Sequence, residues 1–273
     1  MAAIRNVTFI AAAWLVVGVL IPVAAFAAPA VSNCLAIANA APMIIPASVK
    51  LAALKKRELR LTFVGHSTFL IESAGGIRIA TDYAGWAGAG LIPDVVTMNH
   101  AHDTHYTDFP DPKIKHVLRG WNPKGGHAAY NLQLADVLIR NVPTNIRSFS
   151  GDGTELFGNS IFIFELAGLC IGHLGHLHHE LTDQQLGQIG QLDVVLVPAD
   201  GIWTMDHGGM AKVILQLRPR LVVPMHYFDA STLSPFIDRL KPLFSVKINP
   251  VPTVVLSRAT LPEQPQVLIL PGF

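Results

Sequence analysis

The pattern of apolar and polar residues predicts closely spaced β-strands from residue 59 onward. Residues 59–64 alternate apolar and polar side chains, and residues 68–72 are apolar and rich in β-forming residues. Gly75-Gly76 predicts a turn, after which residues 77–81 form the next strand. An apolar run over 93–98 predicts a further strand directly before a cluster of histidines.

The C-terminal third of the chain alternates strand and helix signals. Thr182 and Gln185 have the spacing of a capping box and predict a short helix that ends near Ile189. The later elements predicted are strands over 193–197 and 221–225 and helices over 209–217 and 231–240. This alternation favours an α/β layer architecture, and we treat residues 59–273 as one domain because no low-complexity linker divides them.

Two stretches of the chain resemble each other. Residues 65–75 align with residues 158–168, with matching Gly, Ser, Phe, Glu and Ala positions and a second matching Gly. Each copy predicts two strands joined by an Ala-Gly turn. The repeat predicts two related halves that supply sheet to one core, with chance similarity between two hairpins as the alternative.

The N-terminus has the features of a secretory signal. Arg5 precedes an apolar run from Phe9 to Ile21, and Ala25-Phe26-Ala27 offers a small-residue cleavage site. We therefore assign residues 1–27 to a signal peptide and 28–58 to an N-terminal arm, and we expect a periplasmic or secreted protein without stable membrane insertion after cleavage. An uncleaved N-terminal anchor is the alternative.

Charge and cysteine content restrict the function only slightly. The chain has 20 Lys and Arg against 19 Asp and Glu, with no basic stripe, which gives no electrostatic footprint for nucleic-acid binding. An oxidising compartment permits a disulfide between Cys34 and Cys170, the only two cysteines. Because Cys170 sits in an apolar stretch, we expect it instead to be a buried strand residue without a bridge.

Histidines cluster at the ends of several predicted strands. His100, His102 and His105 follow the strand that ends at Met98, and imidazole is the commonest metal ligand among side chains. His176 follows a strand around Cys170–Gly172, and His226 follows the strand 221–225. Ligands of α/β sheets collect at the carboxyl ends of strands, so we predict that these five histidines converge on one metal ion.

Several motifs, taken together, resemble the metallo-β-lactamase fold hydrolases, most closely the branch of the L-ascorbate-6-phosphate lactonase. They are Gly65-His66-Ser67-Thr68-Phe69-Leu70-Ile71-Glu72, Ala80-Thr81-Asp82, the His100 cluster, His173-Leu174-Gly175-His176 and Val223-Pro224-Met225-His226-Tyr227. The resemblance implies an αββα sandwich of two similar halves. It also implies that Asp82 belongs to the catalytic site through a hydrogen bond to a ligand histidine, with a structural turn as the alternative.

The chain departs from the family pattern at positions that normally carry charge. Thr104 stands where a metal-binding aspartate is expected, and His176 follows Gly175 where the family has an aspartate. The family's middle histidine has no counterpart near residues 142–148, where Asn145 is the nearest polar candidate. Since bridging carboxylates hold two dications together, we expect one ion, Zn²⁺, with Mn²⁺ or Fe²⁺ as alternatives set by availability.

These observations predict an exported metal-dependent hydrolase that acts on a small molecule. A metal ion of this kind lowers the pKa of its water and produces a hydroxide nucleophile for an ester, lactone, amide or phosphodiester. The alternative is a non-catalytic periplasmic protein that binds a small molecule or metal on a degenerate hydrolase fold. The sequence leaves the substrate and the oligomeric state open.

Overall fold

The computed structural model describes residues 30–35, 54–148 and 153–272, so the predicted signal peptide lies outside the described residues. The chain forms two β-sheets with helices on one outer face. The strands are β1 (Leu59–Gly65), β2 (Thr68–Ser73), β3 (Arg78–Ala80), β4 (Val95–Met98), β5 (His116–Arg119), β6 (Asn131–Leu134), β7 (Val137–Arg147), β8 (Thr154–Leu166), β9 (Leu169–His173), β10 (Val194–Pro198), β11 (Leu221–Met225), β12 (Ser245–Ile248), β13 (Thr253–Leu256) and β14 (Gln266–Ile269). The helices are α1 (Asp183–Ile189), α2 (His207–Leu217) and α3 (Ala230–Leu240).

The two sheets repeat one topology, as the internal repeat predicts. The first sheet has the order β13-β1-β2-β3-β4-β5, and the second has the order β12-β14-β11-β10-β9-β8-β7-β6. In the first sheet an antiparallel β2–β3 hairpin leads to the parallel strand β4, and in the second an antiparallel β8–β9 hairpin leads to the parallel strand β10. The predicted Ala-Gly turns join the strands of these two hairpins.

The core lies between the sheets and beneath the helices. Side chains such as Phe69, Phe162 and Phe164 are buried between the two sheets, whereas Phe236 and Met210 hold α3 and α2 against the other face of the second sheet. The two-sheet α/β class is confirmed. The αββα sandwich also predicts a helical layer on the outer face of the first sheet. Among the described residues, loop side chains such as Tyr83 cover that face instead.

The predicted helices are confirmed with small shifts of their boundaries. Thr182 caps α1 through a complete capping box with Gln185, and Asp206 caps α2 by accepting hydrogen bonds from two backbone N–H groups. No helix in the described parts of the chain has both the length and the apolar composition needed to cross a membrane.

The described part of the N-terminal arm is covalently attached to the second sheet. Cys34 and Cys170 form a disulfide with a Cα–Cα distance of 5.9 Å, which corrects the expectation that Cys170 is unbridged. Cys170 is nevertheless a buried strand residue, because it lies within β9. Ser32 and the backbone of Asn33 also donate to the Glu165 carboxylate, so hydrogen bonds support the bridge.

Candidate metal centre

Polar side chains from both sheets meet where the strands end. The residues concerned follow five different strands: Asp82 after β3, His102 and His105 after β4, His176 after β9, Asp200 after β10 and His226 after β11. Parallel strands deliver their carboxyl ends to one edge of a sheet, which is where α/β folds bind ligands. The site therefore draws on both halves of the fold.

Four of the five predicted ligands come together. The ring centroids of His102, His105, His176 and His226 lie 4.5–5.9 Å apart. A further imidazole, that of His66, lies 4.1 Å from the ring of His226. Nitrogen atoms of His66, His102, His105 and His226 all fall within 4.8 Å of one another, a spacing that one metal ion can bridge.

Two of these imidazoles are oriented by buried aspartates. Nδ1 of His105 donates to Asp82 Oδ2 at 2.7 Å, which leaves the lone pair of Nε2 facing the cluster. Nδ1 of His226 lies 3.2 Å from Asp200 Oδ1 but has no aligned hydrogen-bond partner among the described residues. In both cases the carboxylate faces Nδ1, so Nε2 is the atom available to a metal.

The other two imidazoles show the same orientation with neutral partners. Nδ1 of His102 lies 2.8 Å from the Thr104 hydroxyl, and Nδ1 of His176 lies 2.6 Å from Nε2 of His178. The Thr104 hydroxyl also contacts Nε2 of His66 at 2.9 Å. A hydroxyl has one proton and two lone pairs, so it can accept from Nδ1 of His102 and donate to Nε2 of His66. His66 is thereby distinguished from the four imidazoles whose Nε2 atoms face inward.

The inward nitrogens have the spacing of ligands on one ion. Nε2 of His102 lies 3.2 Å from Nε2 of His176, and Nε2 of His105 lies 3.2 Å from Nε2 of His226. Two nitrogens bound to one zinc at about 2.05 Å in tetrahedral geometry would be about 3.3 Å apart. A cation placed between two such facing nitrogens is bound by both lone pairs, so the donor set fits a metal ion.

Burial keeps the imidazoles in the neutral form that binds metals. Burial lowers the pKa of His66 to about 4, and burial together with the neighbouring His226 lowers the pKa of His102. The pKa values of His105 and His176 fall well below the usual range, again chiefly through burial. No proton therefore has to leave these four side chains for a metal to bind at neutral pH.

A buried polar network fixes the two aspartates. Burial raises the pKa of Asp82, while a hydrogen bond from Asn99 to its other carboxylate oxygen, 2.8 Å long, opposes that rise. Burial alone would also raise the pKa of Asp200, but contact with His226 and hydrogen bonds from Thr204 hold that pKa below its usual value. Asp200 therefore accepts backbone hydrogen bonds in the turn after β10 and also contacts a candidate ligand.

Backbone conformation also directs these side chains. Asp82, His66 and His226 adopt φ values of 41°, 49° and 53°, which are uncommon for residues other than glycine and are typical of functional sites. Gly175 has φ of 59°, and a Cβ on it would lie 2.3 Å from the amide oxygen of Asn159. The chain can therefore deliver His176 into the site only because residue 175 has no side chain.

His100 lies outside this cluster, contrary to the predicted convergence of five histidines. Its backbone N–H donates to the carbonyl of Gly158 in β8, and its Nδ1 lies 2.6 Å from Glu155 Oε1. The ring packs 4.9 Å from Trp121 and 5.5 Å from Tyr106. Pairing with β8 thus turns His100 away from His102, so the two histidines do not share a face.

Four aromatic residues near the histidines in sequence take different positions. Trp203 and Phe228 are 62% and 61% exposed, and the Phe228 ring lies 6.1 Å from that of His226, so Phe228 borders the cluster. Tyr106 lines a neighbouring cavity of about 410 Å³ that also includes His102. Tyr227 instead donates its hydroxyl to the Leu270 carbonyl and packs against the core.

Comparison with known proteins agrees with this architecture. Residues 60–226, more than half of the chain, match the family model of the β-lactamase superfamily domain. The chain therefore belongs to the metallo-β-lactamase superfamily. It is 26% identical over 227 residues to a protein named UPF0173 metal-dependent hydrolase from Carboxydothermus hydrogenoformans, covering 72% of this chain and all of that protein. A protein of the same name from Pyrococcus abyssi is 28% identical over 214 residues, covering 71% of this chain and 95% of that protein.

Solved structures show the same fold. A proposed Zn-dependent hydrolase of the metallo-β-lactamase superfamily from Thermotoga maritima superposes with a TM-score of 0.55 at 26% identity, covering 78% of this chain and 98% of that one. A metallo hydrolase from Ignicoccus hospitalis has a TM-score of 0.52 at 22% identity, covering 73% of this chain and 99% of that one. The lactonase branch suggested by the sequence is not singled out by these relatives and stays a prediction.

Proposed function

We propose that this protein is an exported metal-dependent hydrolase that acts on a small ester, lactone, amide or phosphodiester. The observation that carries this proposal is the uniform orientation of His102, His105, His176 and His226, each with Nδ1 facing another polar group and Nε2 facing the cluster. The names of the superfamily relatives support the same reaction class.

The side chains divide the work of such a site. His102, His105 and His226 would hold the ion, with His66 or His176 as a fourth ligand. A bound divalent ion would supply a Lewis acid that polarises the scissile group and lowers the pKa of water. Asp82 and Asp200 hold His105 and His226 in place, while Phe228 lies at the edge of the cluster beside His226.

Reconstitution tests this function. Protein stripped with a chelator should regain hydrolysis of 4-nitrophenyl esters, a lactone or bis-4-nitrophenyl phosphate when Zn²⁺, Mn²⁺ or Fe²⁺ is added back. A His226→Ala variant should lose this activity, while His127→Ala, which changes an exposed loop histidine, should keep it. Equal turnover by the stripped and loaded parent would contradict metal-dependent hydrolysis.

A binding protein is the second candidate, favoured by one observation. The ligand set consists of imidazoles, and a threonine and a histidine stand where the superfamily pattern has carboxylates. Stoichiometric metal binding without turnover of any substrate in the reconstitution experiment would support that candidate over the hydrolase.

Export is supported by the covalent chemistry of the arm. The Cys34–Cys170 disulfide suits an oxidising compartment, as the signal-like N-terminus predicts. We expect the mature protein to begin near Ala28 in the periplasm. N-terminal sequencing of the protein from its native host tests this, and a soluble cytoplasmic form with Met1 intact would contradict it.

A further inference from the structure

Beside the histidine cluster lies a cavity that the proposed metal centre does not explain. Its volume is about 410 Å³, and its lining runs from His102, a candidate ligand, to Arg147 at the end of β7. Binding pockets for small ligands are typically of this size, about 300–1,000 Å³, and combine apolar walls with a few polar groups. Ile146 and Tyr106 supply apolar surface here.

Arg147 is an exposed residue and the one Lys or Arg in the lining of this cavity. Within residues 30–35, 54–148 and 153–272, no carboxylate forms an ion pair with Arg147. Among the described residues its guanidinium makes one long hydrogen bond, 3.4 Å to the Thr204 carbonyl. That contact places it beside the loop whose Asp200 faces His226. A guanidinium with free N–H groups is suited to binding a carboxylate or phosphate in a bidentate manner.

The acidic residues of the cavity determine how a ligand is oriented. Glu155 binds the ring of His100 at 2.6 Å, and Asp103 is the other carboxylate in the lining. An anionic group is therefore favoured only at the Arg147 end. The uncharged remainder of the ligand then extends toward His102, where the metal ligands begin.

We propose that Arg147 binds an anionic group of the substrate in this cavity, so that the substrate is a small ester or lactone that also carries a carboxylate or a phosphate. This assignment rests on the proposed hydrolase function for its reaction, but the binding of the anion is a separate property of the cavity. It narrows the substrate from any hydrolysable small molecule to an anionic one.

Anion binding is measured first, on full-length mature protein stripped of metal so that no ion can bind the probe. Isothermal titration calorimetry at pH 7.5 with glutarate and with inorganic phosphate should show binding to the parent. Binding should weaken roughly 10- to 100-fold in Arg147→Gln, as expected for a lost hydrogen bond between charged groups. Arg239→Gln, which removes the same charge from the last turn of α3, should bind like the parent. Tighter binding of glutarate or of phosphate identifies which anionic group the cavity takes.

Turnover is measured next on metal-loaded protein. The 4-nitrophenyl monoester of glutaric acid should be preferred over neutral 4-nitrophenyl pentanoate, and Arg147→Gln should abolish that preference by raising KM for the anionic ester alone. Failure of both anions to bind the parent, or equal affinities in parent and Arg147→Gln, overturns the anion site. Failure to hydrolyse either ester overturns the hydrolase function instead, and the calorimetry still tests whether Arg147 binds an anion.

Discussion

Asp82 and His105 form a hydrogen-bonded pair in which both side chains are fully buried. The two residues follow neighbouring parallel strands, β3 and β4, and Nδ1 of His105 lies 2.7 Å from Asp82 Oδ2. Asn99 binds the second oxygen of the same carboxylate, so neither residue can rotate freely. This pair therefore fixes which nitrogen of His105 faces the histidine cluster.

Replacing the aspartate of this pair should weaken metal binding without removing a ligand. Asp82→Asn keeps the shape and tolerates the positive φ, but the amide holds the imidazole less firmly, so we expect metal affinity to fall roughly 10- to 100-fold. Competition with a chromophoric chelator measures this. Asp108→Asn, at an exposed loop aspartate, should have no effect. Unchanged affinity in Asp82→Asn, with thermal stability equal to the parent, would contradict an orienting role.

Two neighbouring histidines should differ in their effect on metal content. His102→Ala removes an inward-facing nitrogen and should reduce bound metal strongly, whereas His100→Ala should leave it near the parent value of about one ion per chain, because His100 binds Glu155 instead. Elemental analysis after dialysis measures both. Loss of metal in His100→Ala would show that this residue rejoins the site when metal is bound, and two ions in the parent would contradict the single-ion expectation.

Much of the fold is predictable because its strands are buried in regular patterns. The strand 221–225 is fully buried and was predicted with the boundaries observed. In contrast, β12 is exposed at every residue, and β7 contains Pro143 within its pairing with β8, so neither has a local pattern that identifies it as a strand. Long-range pairing determines such strands, and it is not encoded in local hydrophobicity.

The candidate site was only partly predictable for a related reason. Strand ends identified His102, His105, His176 and His226, but the positions of His66 and His100 depend on backbone details. His66 reaches the cluster through a left-handed turn after the irregular pairing of β1 with β2. His100 leaves the cluster through a hydrogen bond to a strand far away in sequence. The disulfide was missed because burial of Cys170 does not distinguish a free cysteine from a bridged one.

Restoring a carboxylate should increase the number of metals bound. Thr104→Asp places an anion between His66 and His102, where the Thr104 hydroxyl now contacts both rings. We expect the stoichiometry to rise from about one ion toward two, since anionic ligands offset the repulsion between dications. Thr104→Ser keeps the hydroxyl and should retain the parent stoichiometry. An unchanged count in Thr104→Asp at saturating Zn²⁺ would show that geometry, rather than charge, limits the site.

Metal-free protein should lose stability in mild acid. Burial lowers the pKa of His66 and His178 to about 4, whereas in the unfolded chain a histidine titrates near 6.5. Between these two pKa values the unfolded state binds more protons than the folded state. The free energy of unfolding therefore decreases as pH falls from about 6.5 toward 4. Above about pH 6.5 these two histidines no longer change it. Urea unfolding of chelated protein at pH 7.5, 6.0 and 5.0 measures the slope. His66→Asn should reduce this dependence of stability on pH, and His127→Asn should leave it unchanged. Equal stability of the parent at all three pH values would contradict the lowered pKa values of His66 and His178.

Removing the disulfide should destabilise the fold and spare the metal centre. The bridge closes a separation of 136 residues, and loss of a disulfide typically costs about 2–4 kcal/mol because the unfolded chain gains freedom. Cys170 lies near the start of β9, whereas the site lies beyond the end of that strand, so metal content should not change. Urea unfolding of the double variant Cys34→Ser/Cys170→Ser measures the loss, and parent protein treated with a reductant provides a second measurement if the variant does not fold. Equal stability of the oxidised and reduced parent would show that the arm is held by the hydrogen bonds of Ser32 and Asn33 to Glu165 rather than by the bridge.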